Sequence, residues 1–178
     1  ELLFGNNILK FECDRYHKWE RGNKNWGKYT HLDINANYLE KYYNDVYNLK
    51  IGNDIHQIDY CHKSGKFTEK KIIKNKENII LCGLHTIYNK CLNKIINIKI
   101  YLDTDKRLVK YWKIKRDIYE RGYELNDVLN NIKKRENDFK TFIKPQKENS
   151  DIIIRYFTDN KFNFTNLKNI PNIYLKLI

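Results

Sequence analysis

Apolar positions along this chain come in short runs whose period changes from one run to the next. Residues 8–13, with Ile8, Phe11 and Cys13 as apolar members, read as a strand that ends at Asp14. A polar, aromatic and basic loop runs on to about Leu32, loosened by Gly22 and Gly27. Asp33 or Asn35 can cap the helix marked by Leu39, Tyr42, Tyr43, Val46 and Leu49, which Gly52 ends. Residues 55–60 read as a short strand or extended piece, residues 63–65 as a turn, and residues 66–77 as a basic, weakly patterned segment. Residues 78–81 are a continuous apolar strand of the kind that a parallel sheet buries on both faces. A helix is expected over 86–94 and an Ile-rich strand over 97–102. Asp103 or Asp105 caps a long helix through Arg121, and Gly122 is placed to stop it. Leu125, Val128, Leu129 and Ile132 mark a further helix. Phe139, Phe142 and Ile143 mark a short one that Pro145 stops. Residues 152–154 read as a last buried strand, and the Asn-rich residues 160–178 as a loosely packed or partly paired tail.

Strands alternating with helices predict an α/β fold with a mainly parallel sheet. Ligands of such sheets sit outside the carboxyl ends of the strands. Asp14, Tyr60 with His62, the run from Cys82 to His85, and Asp103 all fall at such ends.

A length of 178 residues predicts one domain, and 41% hydrophobic residues with 14% aromatics suffice for a core. The formal net charge of +12 favours an acidic partner: nucleic acid, a membrane surface or a phosphorylated small molecule. Lys, Asn, Ile and Tyr are abundant throughout, so part of that excess reads as solvated surface. Cys13, Cys61, Cys82 and Cys91 have neither C-x-x-C nor zinc-site spacing, which points to free thiols in a reducing compartment, cytoplasm or plastid. No apolar window of about 18 residues marks a membrane span, and no signal peptide is read. The chain begins at Glu1 rather than Met, which suggests a piece of something longer.

The richest stretch in charge chemistry is residues 116–123. Asp117 and Arg121 are four apart on one helical face, with Arg116 beside them. Two guanidiniums around one carboxylate are either a solvated surface pair or a clamp for an anion such as phosphate.

Taken together, these positions resemble the phosphoribulokinase/uridine kinase family, its phosphoribulokinase branch above all. The strongest part is Ile100 to Asp103, then Trp112 to Ile114, Arg116 with Asp117, and Glu120 to Tyr123, continuing through Asp138 with Phe139, Pro145 to Lys147, and Asp151 with Ile152. Asp14 with Tyr16 and His17, Arg21, Leu32 with Asp33, Ala36 with Asn37, the run from Tyr60 to Gly65, and Gly83 to His85 also fit. The resemblance covers roughly residues 8–156. It implies a P-loop NTPase-like three-layer α/β sandwich with a helical lid over about residues 104–147, on a kinase-like domain of residues 1–159. It also implies ATP- and Mg²⁺-dependent transfer of the γ-phosphoryl group to a hydroxyl of a sugar phosphate or nucleoside. Asp14 aligns with the catalytic base and Asp117 with a second functional carboxylate. His17, Arg21 and His62 align with residues that hold the sugar phosphate, and Tyr60 with an acceptor contact. Arg116 and Arg121 align with lid arginines that meet phosphates.

The chain departs from the family in three places. No G-x-x-x-x-G-K-[ST] loop occurs, so the first βα unit of the fold is expected to be missing. Cys82 stands where the family has a Glu on the metal side of the site, and a neutral thiol is a poor ligand for hard Mg²⁺. Arg15 replaces a common second Asp. The resulting expectations are a kinase whose chain here is inactive by itself, or a catalytically degenerate kinase-like binding protein. No RNA-recognition, zinc-finger or helix-turn-helix pattern supports nucleic-acid binding. Oligomerisation is left open.

Overall fold

The computed structural model describes residues 7–61 and 64–178. The chain divides into two compact units. The first holds residues 1–97 with 141–143, and the second holds 98–140 with 144–178.

In the first unit, β1 (Ile8–Glu12) runs parallel to β4 (Asn78–Cys82), and Glu12 lies opposite Cys82 in the register. Between them in sequence come α1 (Leu39–Lys50) and the antiparallel pair β2 (Ile55–Cys61) and β3 (Lys66–Ile73). Phe11, Cys13, Tyr16, Tyr42, Val46, Leu49 and Leu92 form the core. Phe11 stacks on Tyr42 while Tyr16 meets both edge-on, so α1 is fixed to the end of β1 by aromatic packing. The α1 positions that bury are Leu39, Tyr42, Val46 and Leu49, the stripe that the 3.6-residue period selects.

Three expectations in this unit are corrected. The basic segment after residue 65 is strand β3, held by pairing with β2 rather than by a pattern of its own. The helix expected over 86–94 shrinks to α2 (Lys90–Asn93). Its cap is Asn89, whose side-chain oxygen accepts the Cys91 and Leu92 N–H groups and so starts the helix late. β4 is not buried on both faces, since Ile80 is 47% exposed.

The second unit contains β5 (Ile100–Thr104), α3 (Lys106–Tyr119), α4 (Leu125–Asp138), β6 (Ile152–Phe157) and β7 (Tyr174–Leu177). β5 runs parallel to β6, and β7 closes on β6 antiparallel. Of the two candidate caps it is Asp105 that caps α3, accepting the Arg107 N–H at 2.8 Å. Gly122 takes a left-handed φ of +69° just past the helix, the conformation that suits a helix stop. Pro145 does not stop the chain outright: a π-helical turn (Phe139–Ile143) leads into a 3₁₀ stretch (Lys144–Asn149) that contains it. β6 is only partly covered, with Ile152 at the surface.

Candidate active site

The end of β1 breaks directly into a 3₁₀ turn (Cys13–Tyr16), which lifts Asp14 to the surface. One Asp14 oxygen, Oδ1, accepts the Leu84 backbone N–H at 3.3 Å. That approach depends on Gly83, whose φ is +134°. A Cβ there would lie 2.7 Å from Cys13 Cβ and 3.0 Å from Asp14 Oδ1. The ends of β1 and β4 therefore close on each other only because residue 83 has no side chain. Asp14 is left exposed on a fixed base, the geometry a general base needs.

The rest of this end is stitched by charge. Arg15 bonds Glu12 Oε2 through Nε at 2.9 Å and pairs with Asp59 on β2. Arg15 is thus committed to joining β1 and β2. Cys82 Sγ sits 3.8 Å from the Phe11 carbonyl, and burial pushes its thiol up, so it stays protonated at neutral pH. A neutral thiol gives Mg²⁺ neither charge nor oxygen, and the Cys82 position does not fit that ion.

His17 is buried, and its ring packs against Trp26 and His31 at centroid distances of 4.8 and 4.3 Å. Its Nδ1 lies 3.1 Å from the Trp19 carbonyl. Burial lowers its pKa, which favours the neutral imidazole at physiological pH. Tyr60 on β2 stacks on Trp26 at 5.9 Å and meets Phe67 edge-on. Burial raises the Tyr60 phenol while the neighbouring Arg21 opposes that rise. Arg21 itself donates its backbone N–H to the Gly65 carbonyl at 2.9 Å. His62 lies outside the described residues. His85 is buried with Nε2 2.9 Å from the Leu32 carbonyl and reads as a structural tie. The aromatic packing of Trp26 and His31 around His17 had no sequence signal beyond a loop rich in rings.

In the second unit, Asp117 on α3 is 3% exposed, yet three cations converge on it. Lys113 Nζ reaches Oδ2 at 2.5 Å, while Arg116 Nε and Arg121 Nη1 reach Oδ1 at 3.0 and 3.3 Å. Burial pushes the carboxyl up, but the bonds from Lys113 and Arg116 outweigh it and hold the group below the usual carboxylate range. Asp117, Arg116 and Arg121 are brought together as expected, and Lys113 is the member that sequence reasoning missed. Its signal was available: Lys113 is four residues before Asp117 on the same helical face. Lys147 reaches Asp103 Oδ2 at 2.7 Å, tying the 3₁₀ stretch to the end of β5. Among the described residues no cluster of three or more His, Cys, Asp or Glu could hold a metal, and no helix is long and apolar enough to cross a membrane.

Comparison with known proteins follows these features. Residues 7–163 match the profile of the phosphoribulokinase/uridine kinase family. The chain is 31% identical over 154 residues to a phosphoribulokinase of Synechocystis sp., covering 86% of this chain and 46% of that protein. It is 33% identical to the chloroplastic phosphoribulokinase of Spinacia oleracea, over 79% of this chain and 35% of that one. With uridine-cytidine kinase A of Dictyostelium discoideum it shares 29% identity over 95% of this chain and 34% of the relative. The chain therefore spans less than half the length of these relatives. The solved phosphoribulokinase of Rhodobacter spheroides superposes with a TM-score of 0.73 at 19% identity, covering 90% of this chain and 63% of that one. That likeness establishes the α/β, P-loop NTPase-like fold class with its parallel strand pairs. With a family profile matched over most of its length, this chain belongs to the phosphoribulokinase/uridine kinase family.

Proposed function

We propose that this chain is the acceptor-binding and phosphate-clamping part of a small-molecule kinase. The reaction is transfer of the γ-phosphoryl group of ATP to a hydroxyl of a sugar phosphate, ribulose 5-phosphate-like, or of a nucleoside. The observation that carries the reading is Asp14: an exposed carboxylate anchored by the Leu84 N–H, where Gly83 lets two parallel strand ends meet. Asp14 accepts the proton of the attacking hydroxyl through its unanchored oxygen. His17, as a neutral imidazole, orients the acceptor, with Arg21, Tyr60 and His62 as its further contacts. Arg116 and Arg121 meet phosphate oxygens, and such transfers depend chiefly on positioning and charge neutralisation. Asp117 has both oxygens engaged by cations, which favours a role as organiser of that clamp. ATP, when bound, supplies the phosphoryl group. The test is turnover by wild type and by Asp14→Asn. Transfer that survives the substitution would contradict the assignment.

Cys82 favours a second reading, a kinase-like protein that binds its acceptor without turning it over. The resemblance puts Cys82 in the place of a family Glu, and burial keeps its thiol protonated. Cys82→Glu separates the two: a gain in turnover means that the remaining groups are competent, and no gain favours the binding protein.

A further inference from the structure

The 3₁₀ turn that carries Asp14 starts without a side-chain cap at Glu12, so its direction is set further along the chain. Tyr16 closes that turn, two residues after Asp14 and directly before His17. It is buried, with its ring edge-on to both Phe11 and Tyr42. Its hydroxyl donates to Asp45 Oδ2 on α1 at 2.6 Å. Burial pushes the phenol up and Asp45 adds to the rise, so the group stays protonated and remains a donor. Lys41, one turn earlier on α1, pairs with the same Asp45 oxygen and lies over the Tyr16 ring at 5.4 Å. The Tyr16 carbonyl accepts the Tyr38 N–H at 2.8 Å, and His17 pairs with Asn37 in an antiparallel bridge. The end of the turn is thus tied to α1 by its side chain and to the approach to α1 by its backbone.

A phenylalanine at position 16 would keep both ring contacts, so packing alone does not call for the hydroxyl. The hydroxyl adds direction. A short bond to a carboxylate is charge-assisted and fixes the phenol end at one point, whereas ring packing leaves the turn free to rotate over its neighbours. A displacement of roughly 1 Å at a reacting group can cost about 100-fold in rate. We propose that Tyr16, through its bond to Asp45, is a positioning residue that holds Asp14 against the Leu84 N–H and sets where the His17 loop begins. Its effect on rate rests on the kinase reading above, and its effect on Asp14 does not.

Tyr16→Phe and Asp45→Asn, in protein expressed from the complete reading frame, are compared with wild type by two readouts. The first needs no turnover: it is the amide signal of isotope-labelled Leu84, which reports the hydrogen bond to Asp14 Oδ1. Tyr16→Phe is expected to move that signal upfield. Asp45→Asn, whose amide oxygen still accepts the phenol, leaves it near its wild-type position. The second readout is phosphoryl transfer to ribulose 5-phosphate, at a temperature where both variants are folded by circular dichroism. In Tyr16→Phe kcat is expected to fall about 10-fold or more with KM for ATP unchanged, and Asp45→Asn keeps most of the rate. A hydroxyl that served stability alone would lower the melting temperature and leave both readouts in place. An unmoved Leu84 signal in Tyr16→Phe overturns the proposal, and so does a full kcat in that variant. Losses in Asp45→Asn as large as those in Tyr16→Phe overturn it too. A wild type that transfers no phosphate sinks the kinase reading alone, and the Leu84 signal then decides the positioning.

Discussion

Asp14 and Asp117 show how two carboxylates in one chain come to different surroundings. Asp14 is exposed with one oxygen anchored, whereas Asp117 is buried with both oxygens engaged by cations. Asp14→Asn is expected to lower turnover by about 10²- to 10⁴-fold, the usual worth of a general base, with little change in melting temperature. Asp117→Ala leaves Lys113, Arg116 and Arg121 facing one another without a counter-charge. It should cost about 3 kcal/mol of stability by denaturant unfolding, against less than about 1 kcal/mol for the half-exposed Arg121→Ala. His17 and His85 give a pH dependence. Burial lowers both below their ordinary 6.5, so the unfolded chain binds protons more readily than the folded one. Their contribution is fully present above about pH 6.5 and is lost as pH falls towards the folded values, so the melting temperature should drop as pH is lowered below about 6.5. His85→Gln should flatten that drop. The candidate carboxylates and arginines were legible because their spacing is local. The neutrality of His17 was not, since it follows from packing against Trp26 and His31, residues with no regular spacing to it.

Among the elements, the junction of β1 and β4 is the most constrained. Gly83→Ala forces a Cβ against Cys13 at a φ that side chains rarely adopt. Such strain costs roughly 1–3 kcal/mol. The variant should melt lower and also lose turnover, because Leu84 and Asp14 part; an unchanged melting temperature would count against the geometry. Helices with a clean apolar stripe, such as α1 and α3, were legible from the sequence, but only α3 has the expected cap: Asp33 caps the 3₁₀ turn (Ile34–Ala36) ahead of α1, and α1 itself starts at Tyr38 without a side-chain cap. β3 was not, because its Lys-rich residues acquire a strand only through their partners on β2. α2 was overcalled because apolar spacing continued across a turn that Asn89 interrupts.

For the whole molecule, family membership was legible in the order and spacing of motifs across some 150 residues, which no single motif could have carried. The excess charge of +12 was ambiguous from composition and acquires meaning where cations converge, at Asp117. The measurement that bears most directly on the account is label transfer from γ-labelled ATP to ribulose 5-phosphate in the presence of Mg²⁺. It is made with protein expressed from the complete reading frame, as wild type, Asp14→Asn and Cys82→Glu. The account predicts weak transfer by wild type, a clear gain in Cys82→Glu, and loss of transfer in Asp14→Asn. Transfer that persists in Asp14→Asn, or no transfer by either wild type or Cys82→Glu, would contradict it.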